Sequence, residues 1–341
     1  MVSALPRQFL KIPYLSDGGG EDQLAIQQTV DLFLPHAFEA KPRLLILVHG
    51  GAWRAGDKDE LHPLALSLAS RSSSSSTSKP PIAVALINYR LSPYPEQREK
   101  TGPLSHPAHI EDVHAALRYL LLQRPSTFLD EYQTQNVILG GHSVGAWLVA
   151  ASMLDPSPSP PSPSSSSLEP VASWSPLNPS SLRAKIHSYI LLDGIYDIDF
   201  LLDEYPTYSA FIGQAFDPPA FGPAQVPTNG RYQPASIHTW VLGDHYAYSA
   251  PSSSNAQSSR DIDDNERTRD PVPRIRIAHS RNDELLTLAQ PELARSYLHK
   301  LLSARTENPS EWIQIDYDSI TKGHFDMLPS QALADYFRAQ F

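Results

Sequence analysis

GGHSVGAW, residues 140–147, follows the apolar run Val137-Ile138-Leu139 and leads into the apolar stretch from Ala146 to Leu154. A strand that breaks into a turn and then a helix, with serine at the turn, is the setting of a nucleophile elbow. Gly141-His142-Ser143-Val144-Gly145 has the G-x-S-x-G form, whose small residues two before and two after the serine let strand and helix pass closely. Ser143 is expected on a tight, strained turn, at the carboxyl end of a sheet and the N-terminus of a helix.

The flanking chain repeats this alternation. Further strands are expected at Leu44 to Val48, Ile82 to Asn88, Ser188 to Asp193, Arg274 to His279 and Trp312 to Tyr317, several of them apolar throughout, as in strands covered on both faces. HPAHIEDVHAALRYLLLQ (106–123), Ala146 to Leu154 and Gln290 to Leu302 carry apolar residues at helical spacing. The expected fold is α/β, with a mostly parallel central sheet and helices on both faces. The stretch from Ile195 to Pro273 is weakly periodic but rich in aromatic residues, which suggests a helical cap over one end of the sheet. No internal repeat is present. The segments 71–81, 155–167 and 249–271 are rich in Ser, Pro and charge, with few groups worth burying, and read as disordered insertions. They fall between elements, so residues 1–341 are expected to form one decorated domain.

A serine hydroxyl needs a base to take its proton, and the base needs a partner that fixes its tautomer. Asp283, in HSRNDELL, and His324, in TKGHFDML, each follow an expected strand, so both belong to loops on the same sheet edge as Ser143. An arbitrary one of the 13 histidines carries no such signal; His324 follows a glycine and the last strand. Glu284 is a direct rival to Asp283, and Asp316 and Asp318 are weaker ones.

VHGGAW, residues 48–53, places two glycines directly after a strand. Attack on a carbonyl creates an oxyanion that needs pre-placed donors, and glycine lets bare backbone approach it. The expected donors are the N–H of Val144 and those of the loop at Gly50 and Gly51, with His49 bracing the loop.

A net charge of −10 with no basic cluster argues against a nucleic-acid partner. No apolar run approaches the roughly 20 residues of a membrane span, and the N-terminus lacks a continuous apolar signal region. The absence of cysteine excludes thiolate chemistry and fits a cytoplasmic protein.

With these motifs in place, the chain resembles the HGG-loop branch of the α/β-hydrolases, whose chain order is also Ser, Asp, His. HGGxW (His49, Gly50, Gly51, Trp53) with GHSxGA is most similar to the kynurenine formamidases, or arylformamidases. NYRLSPYP (88–95), HPAHIEDVHAALRYL (106–120) and LLDGIYDI (191–198) also look like parts of this branch. The resemblance implies a catalytic triad of Ser143, Asp283 and His324, and hydrolysis of N-formyl-L-kynurenine to L-kynurenine and formate. That reaction lies in tryptophan degradation by the kynurenine pathway, which can feed de novo NAD synthesis. It requires no metal or organic cofactor, and its arylamine leaving group suits aromatic walls, for which Trp53 and Tyr196 are candidates. Homodimer formation is compatible with the resemblance. Position 144 is valine where the family often has alanine, and Trp147 is bulky for the helix after the serine. The same triad would serve a carboxylesterase acting on small acyl or aryl esters. A catalytically dead binding protein is disfavoured because serine, acid, histidine and both glycines are all retained.

Overall fold

The apolar runs in the middle of the chain become strands because each is covered by helices on both sides of one sheet. The computed structural model describes residues 5–15, 27–36, 38–70, 81–157, 174–178, 180–217, 230–243 and 272–341. Apart from Pro81 and residues 155–157, the expected insertions lie outside the described residues.

Strands β1 (Arg7–Pro13), β2 (Thr29–Leu34), β3 (Arg43–Val48), β4 (Ile82–Ile87), β5 (Val137–His142), β6 (Ile186–Leu192), β7 (Arg274–Ala278) and β8 (Ile313–Asp316) pair in the order β1-β2-β4-β3-β5-β6-β7-β8. The pairs β1·β2 and β2·β4 are antiparallel and the rest are parallel. The six strands expected from the sequence are all present. Strands β1 and β2 were not anticipated: β1 is an edge strand with exposed and half-buried residues in place of an apolar run, and β2 carries a charged residue, Asp31.

Along β3 the pleat sends Leu44, Ile46 and Val48 to one face and Leu45 and Leu47 to the other. The second face is covered by α1 (His62–Ala69), and the C-terminal helix (Gln331–Ala339) covers it too. The first, larger core takes α2 (Ala108–Arg118), α3 (Val144–Met153) and the cap helices α4 (Ile198–Glu204) and α5 (Ser209–Phe216). It also takes α6 (Ala289–Ser303), after which the C-terminal helix is α7.

All ten residues of α3 are buried, so this helix is apolar around its whole circumference. Its most conspicuous residue is Trp147, fully buried between the sheet and the cap. The indole Nε1 donates to Ala235 O at 2.8 Å, and the ring packs at 5.4–5.8 Å from Trp53, Trp174, Trp240, Phe216 and His106. Its bulk therefore anchors the cap segment 233–240 onto the helix that begins at the serine. Arg183, 1% exposed, closes the other end of α3, with Nε donating to Ser152 O at 2.8 Å and an ion pair to Asp155. Replacing Trp147 with Ala should lower stability by about 3–5 kcal/mol, read as a shift in the urea midpoint, and Trp147→Phe should cost clearly less.

Candidate active site

The carboxyl ends of β3, β5, β6 and β7 and the loop after β8 carry the expected residues to one edge of the sheet. Ser143 sits between β5 and α3 with φ 57° and ψ −123°, a backbone conformation that L-residues rarely adopt. The turn is held from below by Ser143 N, which donates to Leu192 O at 2.9 Å, and closes with Ala146 N on Ser143 O at 3.0 Å.

The loop after β3 lies directly against the serine. A Cβ on Gly50 would fall 2.9 Å from Ser143 Cβ and 3.1 Å from His142 Nδ1, so only glycine fits there. Tyr89, in the NYRLSPYP stretch, fixes the orientation of this loop. Its hydroxyl donates to Gly50 O at 3.2 Å and reaches His49 O at 3.3 Å, and His49 Nδ1 donates to Gly50 O at 2.8 Å. Because N–H and C=O of a trans peptide point in opposite directions, carbonyls turned toward Tyr89 leave the Gly50 and Gly51 N–H groups directed away from it. The His49 ring stacks on Tyr89 at 4.5 Å, so it braces the loop. Ser92 N holds Trp53 O at 2.8 Å, and Arg90 binds Asp112 of α2 through Nε and Nη2, each at 2.8 Å. These bonds explain why NYR and the IED of α2 accompany HGGAW: together they fasten the glycine loop to the fold.

His324 Nδ1 lies 2.8 Å from Asp283 Oδ2, with both side chains buried. Asp283 Oδ1 accepts the N–H groups of Leu285 and Leu286 at 2.8 and 3.0 Å. Burial would raise this carboxyl, but the bond to His324 and the Leu285 N–H hold it below its ordinary value. The rivals are engaged elsewhere. Glu284 accepts the backbone N–H of His324 at 2.9 Å, so it positions the loop and not the ring. Asp316 accepts Asp318 N and Ser319 N, and Asp318 pairs with Arg281. His142 Nε2 donates to His324 O at 2.9 Å, so the residue before the serine secures the histidine loop.

Trp53 and Tyr196, expected as substrate walls, are 0% and 1% exposed; Trp53 packs among Trp147, Phe211 and Phe216. Phe325, which the sequence reading did not single out, is the exposed aromatic at the site: 48% exposed, with its ring edge-on to His324 at 5.0 Å. Asp193 was also missed. Its signals were its place in the LLDGIYDI stretch and a charge at the end of the apolar run Ile190-Leu191-Leu192.

Among the described residues, three groups bring potential metal ligands within 4.8 Å: His142/Asp193/His324, Asp193/His279/Asp283 and Asp31/Asp59/His62. The first two belong to the hydrogen-bonded cluster around Asp283, and in the third the Lys58 ammonium lies 3.5 Å from Asp31 and supplies the positive charge. No helix among the described residues is long and apolar enough to cross a membrane.

Residues 30–157 match the family model described as BD-FAE. A kynurenine formamidase of Meyerozyma guilliermondii is 35% identical over 50% of this chain, which spans about half (51%) of that protein's length. A kynurenine formamidase of Scheffersomyces stipitis is 28% identical over 87% of this chain and 92% of its own. Among solved structures, a truncated carbohydrate esterase from gut microbiota aligns with a TM-score of 0.57 at 16% identity, covering 99% of this chain and 97% of that one. Esterase B from Lactobacillus rhamnosis gives 0.57 at 15% identity over 100% of this chain and 85% of its own. These two structures share the fold.

Burial holds four imidazoles far below the ordinary 6.5: His49 to about 4, and His109, His114 and His142 to about 3. The unfolded chain takes up these protons first, so their stabilising contribution is complete above about pH 6.5 and is lost as pH falls toward 3. The urea midpoint should drop steeply across that window. His114→Gln should flatten the slope by one proton, about 1.4 kcal/mol per pH unit.

Proposed function

We propose that this chain, an α/β-hydrolase similar to the kynurenine formamidases, is a serine hydrolase that cleaves N-formyl-L-kynurenine to L-kynurenine and formate. The observation that carries the reading is the buried His324–Asp283 pair on the same sheet edge as Ser143, beside a glycine loop that nearly touches the serine Cβ. The names of the relatives support the choice of substrate.

Ser143 Oγ attacks the formyl carbon while His324 takes the hydroxyl proton. Asp283 stays ionised and stabilises the imidazolium through Nδ1. The oxyanion is received by the N–H of Val144 and those of the Gly50–Gly51 loop, donors that each contribute several kcal/mol in such sites. Collapse breaks the C–N bond, and the proton held by His324 passes to the departing aniline nitrogen. A water, deprotonated by His324, then releases formate from Ser143. A formyl group needs almost no room on the acyl side, which suits the tight approach of Gly50 to Ser143. The arylamine leaves from the His324 side, where Phe325 offers an exposed ring. Trp53 and Tyr196, both buried, would shape the pocket from within the core. The setting is cytoplasmic, in tryptophan breakdown.

The purified protein should release kynurenine from N-formyl-L-kynurenine far faster than it cleaves a matched short-chain aryl ester. Ser143→Ala should lower kcat by roughly 10⁴-fold or more. Ester turnover lost with Ser143, without formamidase activity, would keep the mechanism and reject the substrate in favour of a carboxylesterase. Phe325→Ala should raise KM several-fold for the aryl formamide with a smaller effect on kcat.

A further inference from the structure

A second carboxyl group lies buried beside Asp283. Asp193 is the residue immediately after β6, 0% exposed, with φ 40°. Its position follows from the sheet register. Ser143 N bonds to Leu192 O on one side of β6, and Asp193 N bonds to Ala278 O on the other, at 3.0 Å, so Asp193 stands level with the serine and with the start of the Asp283 loop. Asp193 Oδ1 accepts Ser280 N at 2.8 Å and lies 3.6 Å from His279 Nδ1. Oδ2 meets no N–H or O–H donor, and the Asp283 carboxylate is among its nearest polar neighbours. Carboxylate oxygens of Asp193 and Asp283 lie within 4.8 Å of each other and of a His279 nitrogen, and the Asp193 carboxylate is equally close to His142 and His324.

Two carboxylates accept but cannot donate, so a bond between them requires one proton. Asp283 receives three donors, His324 Nδ1 and two backbone N–H groups, which favour its charged form. Asp193 receives one backbone N–H in a fully buried setting. The groups facing it are His142 from β5, His279, Ser280, Asp283 and Glu284 from the β7 loop, His324 from the loop after β8, and Tyr196 from its own segment. Burial keeps the His142 and His279 imidazoles low, so neither offers Asp193 a compensating positive charge near neutrality.

We propose that Asp193 is a positioning residue for the His324–Asp283 pair: it retains its proton and donates it to the Asp283 carboxylate, supplying a further donor without a second negative charge. The bond restrains the Asp283 carboxylate, so that Oδ2 stays on His324 Nδ1 while Oδ1 stays on the Leu285 and Leu286 N–H groups. Burial first, and the adjacent Asp283 second, push the Asp193 carboxyl up to about 8. Above that pH its ionisation replaces the donor with repulsion at the acid of the pair. The inference rests on the reading of Ser143, Asp283 and His324 as the reacting set.

The test is the pH dependence of kcat and KM for wild type, Asp193→Asn and Asp193→Ala, together with urea stability over pH 6.5–9. The amide of Asp193→Asn can accept Ser280 N–H and donate to Asp283, yet it cannot ionise. It should keep neutral kcat within a few-fold of wild type and lose the alkaline fall near pH 8. Asp193→Ala should lower kcat about 10- to 100-fold, the size of a lost hydrogen bond to a charged group, with KM little changed. This group should make wild-type stability fall as pH rises toward about 8 and level off above it, because below that pH the native state holds a proton that the unfolded chain has released, and Asp193→Asn should abolish that component of the slope. An alkaline limb that persists in Asp193→Asn, or an Asn variant as impaired as the Ala variant, overturns the proposal. If N-formyl-L-kynurenine is not turned over, the same kinetics on the aryl ester separate failure of the substrate reading from failure of this one. If neither substrate reacts, the stability slope alone decides whether Asp193 carries the proton.

Discussion

At Gly145, the second residue of α3, an added Cβ would lie 2.3 Å from Val48 O and 2.6 Å from His49 O. The helix that starts at the serine is thus pressed against the end of β3, backbone on backbone, with no side chain between. That approach brings the loop after β3 to the serine and sets the 2.9 Å clearance at Gly50. It also leaves α3 with no face toward solvent, which is why its sequence is apolar on every side. The cap, docked on Trp147, and the carbonyls fastened by Tyr89 are arranged around this contact.

The central strands, the turn at Ser143 and the loop at Gly50 were legible because each imposes a local constraint that few residues satisfy: an unbroken apolar run, a strained turn, a close backbone approach. Asp283 and His324 were singled out by position after their strands, and Asp283 was preferred to Glu284 only through the family resemblance. Adjacent carboxylates look alike in a sequence. Here they differ in direction, one bonded to the imidazole and the other to the backbone N–H of His324. Strand β1 escaped because an edge strand need not be apolar, and β2, which is buried between β1 and β4, escaped because Asp31 interrupts its apolar run. Asp193 escaped because the strain and burial that make it informative are properties of the folded chain.

Much of the polar chemistry of the site is devoted to holding backbone in place. His49 and Tyr89 orient the glycine loop, His142 and Glu284 bind the two backbone polar groups of His324, and Ser92 holds Trp53. Most of these groups are buried, and His49 and His142 are uncharged near neutrality. Their uncharged state lets them donate from one nitrogen without placing a positive charge beside Ser143 and His324, an arrangement that suits preorganisation in a low-dielectric setting.

The aromatic layer between α3 and the cap has an optical consequence. Four of the five tryptophans, Trp53, Trp147, Trp174 and Trp240, lie in one contiguous stack, each at most 4% exposed. Indole emission moves to longer wavelength when water reaches the ring, so the native spectrum is governed by this dry stack and the remaining tryptophan, Trp312, is a minority emitter. Parting of the segment 233–240 from α3 would wet the stack while leaving the sheet intact. An emission shift with unchanged far-ultraviolet circular dichroism would therefore report loosening of the cap, whereas unfolding of the domain would change both.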